Sequence, residues 1–424
     1  MEEFAKPVVL LANNGFVADA HSAASSRGLP GLRVIGTTIA CESIDETDIE
    51  TGITGALDDI IAALTSPLTE DESSPKPTYE PEPRIAFKGS NRDVNNFFYR
   101  KGWGDGLPII PPTEAAVAEM MLGTDLPTDH VVAKLIPRLG KATVEKIAVN
   151  AVMAGALPVH MPVIIAAVEA LSDTKTRFDI FEVSTGSWAP FFLINGSVRN
   201  DIHINTGSGL MSPGNIANAA IGRAIGLIVK NIGGARKGLE DMGVLGNPQK
   251  WSLVIGENEE DSPWEPYHVS NGYKREDNVL TVFFPNQYSL GIPGQTSGQT
   301  QAEGIAASLA RMRPGGLSAL LVIPDHAKIL DAEGWTKRQL KDYIIKQNTT
   351  PAKPGALDTQ VSRGLRNEDF MLIVAGGPGV WHGMLQSAAG FFNNTFVSKE
   401  ITLPKNWDAL VAKYRNMVPN YVRY

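Results

Sequence analysis

The chain has 424 residues, 43% of them hydrophobic and 20% charged; this is the balance of a soluble globular protein, and the length suggests two or three domains. A formal charge of −8 and a pI near 5.5 leave no basic footprint for nucleic acid. No apolar run is long enough to enter a membrane as a spanning helix, the acidic N-terminus does not read as a signal peptide, and the lone cysteine, Cys41, excludes an internal disulfide and a cysteine-clustered zinc site. A cytoplasmic setting is expected.

In chain order, the residues predict a strand at 7–13, a helix, a strand at 32–39 and a helix at 48–64. This is a small α/β lobe (1–65) with too few strands to complete a sheet, so its open edge calls for cover from the body or from another subunit. Residues 66–84, "SPLTEDESSPKPTYEPEPR", carry five prolines among acids and serines and read as a solvated linker. A larger α/β body follows from 85 to the end, with a possible subdivision near 295. It opens with a helix at 91–100 and the rigid loop "GWGDGLPIIPP", after which Thr113 is placed to cap a helix. "ATVEKIAVNAVMAGA" and "MPVIIAAVEAL" are so rich in Ala, Val and Ile that both helices should be largely buried. Strands are expected at 191–198, 251–258 and 279–285, with "GSGLMSPGN" leading into a long helix between the first two. The last third alternates helix (301–312), strand (317–323), helix (336–347), strand (371–375) and a glycine-rich turn into another helix, the βαβ rhythm of a parallel sheet.

The segment "VIGENEEDSPWEPYHV" (254–269) carries the strongest candidate chemistry. Carboxylates just past the carboxyl end of a strand sit where open α/β sheets bind ligands, and several together raise each other's pKa or hold a cation. If the strand persists, Glu257 and Glu259 point one way and Asn258 and Glu260 the other, while "SPWEP" turns the chain to present Glu265 and His268. The plainer reading is a solvated acidic turn with Trp264 as a lid on the core. Asp105, between two glycines, either approaches a ligand or caps its own turn. Lys146 and Asn150 lie one helical turn apart on a buried-looking helix, which fits a binding pair or a structural one. Ser208 and Asn215 in "GSGLMSPGN", and Gly376, Gly377 and Gly379 in "IVAGGPGVWHG", are candidate cofactor-binding positions, since both glycine-rich loops bring backbone near a ligand. Gly222 and Gly226 fit close helix packing. Arg223 reaches an anion or solvent, Asp325 caps a helix beside His326, and His382 closes the glycine turn. His203 in "DIHIN" alternates with Asp201 and Asn205 as if on a strand, a metal-compatible pattern. Cys41 ends the second strand, where a thiol is either a buried hydrophobe or reactive.

Taken together, "GWGDGLPIIPPTEAAV", "ATVEKIAVNAVMAGA", "SPGNIANAAIGRA", "NIGGAR", "GENEEDSPWEPYHV" and "AEGWTKRQL" resemble microbial proteins associated with the (seleno)protein family named for its U-G-S-C motif, over roughly residues 91–382. The lobe, through "RGLPGLRVI" and "ALDDIIAALTSP", is similar to the closing half of the U-G-S-C domain. That domain is distantly similar to the selenoprotein subunit of glycine reductase, in which a selenol or thiol attacks carbon and displaces a heteroatom. The half bearing U-G-S-C or C-G-S-C is absent here. The resemblance implies that another chain supplies it, or that Cys41 and the carboxylates do different work. It retains Glu257, Glu260 and His268 and gives no support to His203.

The expectation is an enzyme that breaks or forms a carbon–heteroatom bond in a small polar metabolite, in a pocket between lobe and body. Glu257 and Glu260 would be acid/base groups or ligands of a divalent metal, His268 a proton carrier, and Asp105, Lys146 and Asn150 positioning groups. The alternatives are a non-catalytic subunit completing a redox-motif partner, or a metal-dependent hydrolase. A homo-oligomer or a complex with a second chain is expected, and neither nucleic acid nor membrane as partner.

Overall fold

A computed structural model describes residues 6–40, 43–73, 83–292, 297–310, 316–347, 366–387 and 394–415. Cys41 lies outside them. The lobe contains β1 (Val9–Asn13), α1 (Val17–Ser26), β2 (Arg33–Thr37) and α2 (Glu46–Thr65). β1 and β2 pair in parallel, with Val9 opposite Arg33 and Asn13 opposite Thr37. Asp45 starts α2 by accepting the Thr47 N–H at 2.9 Å. Part of the expected linker is held against this lobe: α3 (Glu70–Ser73) brings Glu72 onto Arg33 at 2.9 and 3.0 Å. Arg33 also donates to the carbonyls of Ala63, Ser66 and Pro67. Proline and acids argue against a core, but not against a surface turn clamped by one arginine. Residues 74–82 lie outside the described residues.

The body starts with α4 (Asn91–Lys101) and α5 (Glu114–Met120), the second capped by Thr113 as its sequence predicts. The hairpin β3 (Val131–Leu135) and β4 (Gly140–Thr143) precedes α6 (Val144–Ala154), α7 (Met161–Ser172) and α8 (Phe178–Phe181). Then come β5 (Phe191–Asn195), α9 (Val198–Asp201), α10 (Ile216–Ile228), β6 (Val254–Gly256), α11 (Tyr267–Ser270), β7 (Val279–Phe283) and β8 (Gln287–Gly291). The remainder comprises α12 (Gly298–Ala310), β9 (Ser318–Val322), α13 (Pro324–Ala332), α14 (Lys337–Gln347), β10 (Phe370–Val374), β11 (His382–Gln386), β12 (Val397–Glu400) and α15 (Trp407–Tyr414).

Two four-stranded sheets result, ordered β12-β7-β5-β6 and β10-β9-β11-β8. Each has one parallel pair, β5 with β6 and β9 with β10, continued by antiparallel strands. Strand directions therefore follow the same pattern in both sheets, and the fourth strands are exchanged: β8 follows β7 yet joins the second sheet, while β12 follows β11 yet joins the first.

Side-chain alternation stacks these sheets into four layers. Phe192, Ile194, Leu280 and Val282 face a core shared with α6, α7 and α10. Phe191, Leu193, Ile255 and Phe283 face Ala319, Leu321, Met371, Ile373 and Leu385 across the gap between sheets. Leu320, Val322, Leu372 and Met384 face α12, α13 and α14. The architecture is an α/β/β/α sandwich. Because both faces of β5 are apolar, hydrophobic alternation alone does not fix its register. Its terminal Asn195, bonded to carboxylates of the neighbouring chain segment, supplies the missing constraint.

Two local expectations are corrected. The glycine-rich turn after β10 leads into a strand, β11, antiparallel to both β9 and β8, so the parallel βαβ unit is embedded in a mixed sheet. A short segment such as "HGMLQ", buried throughout, does not distinguish strand from helix by period. "DIHIN" is a turn, with His203 at φ 57°, in which Ile202 and Ile204 are the buried residues. The lobe meets the body through ion pairs: Asp19 of α1 and Glu240 share Arg138 and Arg236.

Candidate active site at the joined strand ends

The carboxyl ends of the two parallel pairs lie together. The Asn258 N–H donates to the Val374 carbonyl at 2.8 Å, and the Gly376 N–H to the Thr206 carbonyl at 2.9 Å. One edge of the sandwich thus gathers the loops after β5, β6, β9 and β10, the position at which open α/β sheets bind ligands.

β6 ends at Gly256, and Glu257 is fully buried behind the acidic loop. Its Oε2 accepts from Asn195 Nδ2 at 2.6 Å and from the Tyr267 N–H at 2.7 Å. Its Oε1 is buried without a hydrogen-bond partner, with Lys337 Nζ 3.6 Å away. Glu259 lies on the same side and accepts from Asn195 at 3.0 Å and from the Gly196 N–H at 2.9 Å. Gly196 sits at φ 89°, and a Cβ there would come within 2.4 Å of the Asp277 carbonyl, so glycine is required. Glu260 turns the other way, bonding Arg199 through both oxygens at 3.2 Å and Asn200 at 2.8 Å. Glu257 and Glu259 thus share Asn195, as the expected alternation would place them, whereas Glu259 and Glu260 also share Arg199, because the strand has already ended.

Arg199 is the centre of this cluster, although its local sequence marks it only weakly. It is 2% exposed and donates to the Gly196 and Glu257 carbonyls at 2.9 and 2.7 Å, with Glu259 at 3.1 Å. The available signal was "NGSVRND", an asparagine closing an apolar strand with an arginine four residues on. Burial would raise the Glu260 carboxyl, but Arg199 and Asn200 hold it down at about 2. Glu260 is accordingly an anionic anchor at neutral pH and not a proton donor. Burial, followed by the neighbouring charge of Glu257, pushes the Tyr267 phenol above its ordinary range. His268 is 1% exposed, and neither ring nitrogen has a hydrogen-bond partner. The Asn195 Oδ1 is likewise unpartnered. Each such buried atom costs about 1–3 kcal/mol, so several on one loop call for a reason beyond folding.

The second half contributes its own loops. The Gly379 N–H donates to Asp325 Oδ2 at 3.0 Å. Gly377 packs so closely on Ser208 that a Cβ would fall 1.8 Å from its Oγ, which puts the two glycine-rich loops in contact. Asn215 occupies the N-cap position of α10 without a capping hydrogen bond. His326 and His382 are buried; burial lowers the first, and burial together with His326 lowers the second to about 4. Burial thus favours the neutral form of both imidazoles.

Of the three expected positioning residues, two are engaged elsewhere and one is exposed. Asp105 pairs with Arg223 at 2.7 and 3.0 Å and accepts the Leu107 N–H of its own turn. Lys146 is exposed on α6. Asn150 donates to the Lys146 carbonyl at 2.9 Å and accepts from Asn231 at 2.8 Å. By contrast, α10 touches β6 and the loop after β5 through Asn218, which donates to the Val254 carbonyl and accepts the Asn205 N–H, both at 2.9 Å. Thirteen residues of helix, roughly 20 Å, separate Asn218 from Asn231, so Asn150 is remote from the acidic loop. Gly222 packs as expected, its Cβ position lying 2.2 Å from Ser252 Oγ. Among the described residues no three His, Cys, Asp or Glu side chains are arranged to hold a metal ion, and the acidic loop spends its carboxylates on Arg199, Asn195 and backbone N–H groups. No helix among them is long and apolar enough to cross a membrane. Comparison of the chain with models of protein families, with curated proteins and with solved structures found no match.

Proposed function

We propose that this protein is an enzyme that breaks or forms a carbon–heteroatom bond in a small polar metabolite, with the reaction seated at the joined strand ends. The observation that carries this reading is the pairing, on one loop, of a buried carboxylate oxygen (Glu257 Oε1) and a buried imidazole (His268), both without a hydrogen-bond partner. Removing a proton beside the reacting carbon needs a base, and expelling an amine, thiol or hydroxyl needs an acid. Glu257 takes the first role and His268 the second. Asn195, Arg199 and the Gly196 N–H hold the loop that carries them, and Glu260 serves that scaffold rather than the proton transfer. Trp264 donates to the Trp335 carbonyl at 3.0 Å, and Lys337 to the Glu265 carbonyl at 3.0 Å, so residues 262–265, beyond the anchored Glu259 and Glu260, form the cover that a substrate displaces on entry.

The test is turnover of a panel of small amino, hydroxy and thio acids, followed by mass spectrometry. Glu257→Gln and His268→Gln should each lower the rate on the order of a hundred-fold, as loss of an acid/base group does, with melting temperature measured alongside. Full turnover in both variants would remove the assignment.

A further inference from the structure

The lobe is incomplete in a way the rest of the chain is not. Residues 1–73 hold thirteen acidic and three basic side chains, a net −10 against −8 for the whole chain, so the remainder is slightly positive. Among the described residues the only buried apolar side chains of the lobe are Ala24 and Ala56. Leu10 and Leu11 of β1 are 40% and 38% exposed, although a parallel sheet ordinarily has both faces covered. Beyond their mutual pairing, β1 and β2 make no backbone ladder to any described residue.

A groove of about 530 Å³ runs beside β2, with Val34 and Ile35 along it, His21 of α1 on its rim, Asp59 and Ala63 of α2 in its wall and Asp71 at its margin. Asp59 and Asp71 are exposed. Arg33 does not neutralise them, because its guanidinium is taken up by Glu72 and by the carbonyls of Ala63, Ser66 and Pro67. We propose that this groove receives an extended, lysine- or arginine-bearing segment of another protein, which adds to β2 as a third strand. The edge of β2 that pairs with no strand among the described residues supplies main-chain hydrogen bonds, and the acidic wall selects the charge of the incoming side chains. A second copy of residues 1–73, itself at −10, is a poor occupant on electrostatic grounds. The inference is independent of catalysis in the body.

The full chain is titrated with three labelled octapeptides: (Lys-Val)4, (Glu-Val)4 and (Lys-Pro)4, the last keeping the charge but holding a polyproline helix that does not pair as a strand. Binding is read by fluorescence anisotropy and located by amide hydrogen exchange. (Lys-Val)4 should bind and slow exchange in β2 by about tenfold or more, (Glu-Val)4 should not bind, and (Lys-Pro)4 should bind about tenfold more weakly. Asp59→Asn combined with Asp71→Asn should weaken the lysine peptide. Equal binding of (Lys-Val)4 and (Lys-Pro)4, no binding at millimolar concentration, or a stable dimer whose β2 amides are already protected would each overturn the proposal, the last by giving the edge to a second copy.

Discussion

Replacing Arg199 by methionine probes the cluster at its centre. The arginine side chain is 3% exposed, and its three nitrogens serve two carbonyls and two carboxylates. Methionine fills much of the volume but leaves the carboxylates of Glu259 and Glu260 without their cation. Removing one partner of a buried ion pair costs about 3–5 kcal/mol, because the other charge is left uncompensated. Glu260 is 41% exposed at its side chain, so water recovers part of that loss and the lower end, about 3 kcal/mol, is expected. Urea unfolding of parent and variant measures it. Adding Glu260→Gln to Arg199→Met should restore about 1 kcal/mol or more, since the stranded charge is then absent. A single variant within about 0.5 kcal/mol of the parent, or a double variant with no recovery, would refute the view that Arg199 neutralises this loop.

Two further outcomes follow from titrating groups away from the loop. Glu182 is 6% exposed, with Lys250 at 3.3 Å, and burial above all holds its carboxyl at about 7. A raised folded-state pKa gives stability that is complete below the unfolded value and is lost as pH rises through the folded one, so Glu182→Gln should gain on the parent between about pH 5 and 8, by about 2–3 kcal/mol. Melting curves across that range check it; a constant difference contradicts it. Burial and then neighbouring Lys337 lower the Lys341 ammonium to about 8. Acetylation followed by peptide mass spectrometry should therefore modify Lys341 ahead of ordinary surface lysines near pH 8, and Lys337→Gln should delay it; uniform labelling of all lysines would contradict this.

Local chemistry made much of the fold legible. Thr113 caps its helix where the sequence puts it, and the Ala/Val/Ile-rich runs are the buried α6 and α7. What failed was non-local or ambiguous in period. "HGMLQ" is buried on both faces despite its polar His382 and Gln386, "DIHIN" alternates without being a strand, and the exchange of β8 and β12 between sheets depends on pairings distant in sequence. The site divides in the same way. Glu257, Glu260 and His268 interrupt an apolar strand end and attract notice, whereas the Asn195–Glu257 contact spans 62 positions and leaves no local pattern. Asp105 and Asn150 show the converse, since a polar residue in an apolar segment is equally well explained by the structural bonds they make to Arg223 and Asn231.

The most direct test of the central claim is to locate a turned-over metabolite on the protein by amide hydrogen exchange. A substrate seated at the joined strand ends should slow exchange at the Gly196 and Tyr267 amides, which bond Glu259 and Glu257, and in the turn 376–379, while leaving β1 and β2 unchanged. A footprint confined to the lobe or to the α6–α10 contact, with the amides of 257–268 unaffected at saturating substrate, would contradict the account.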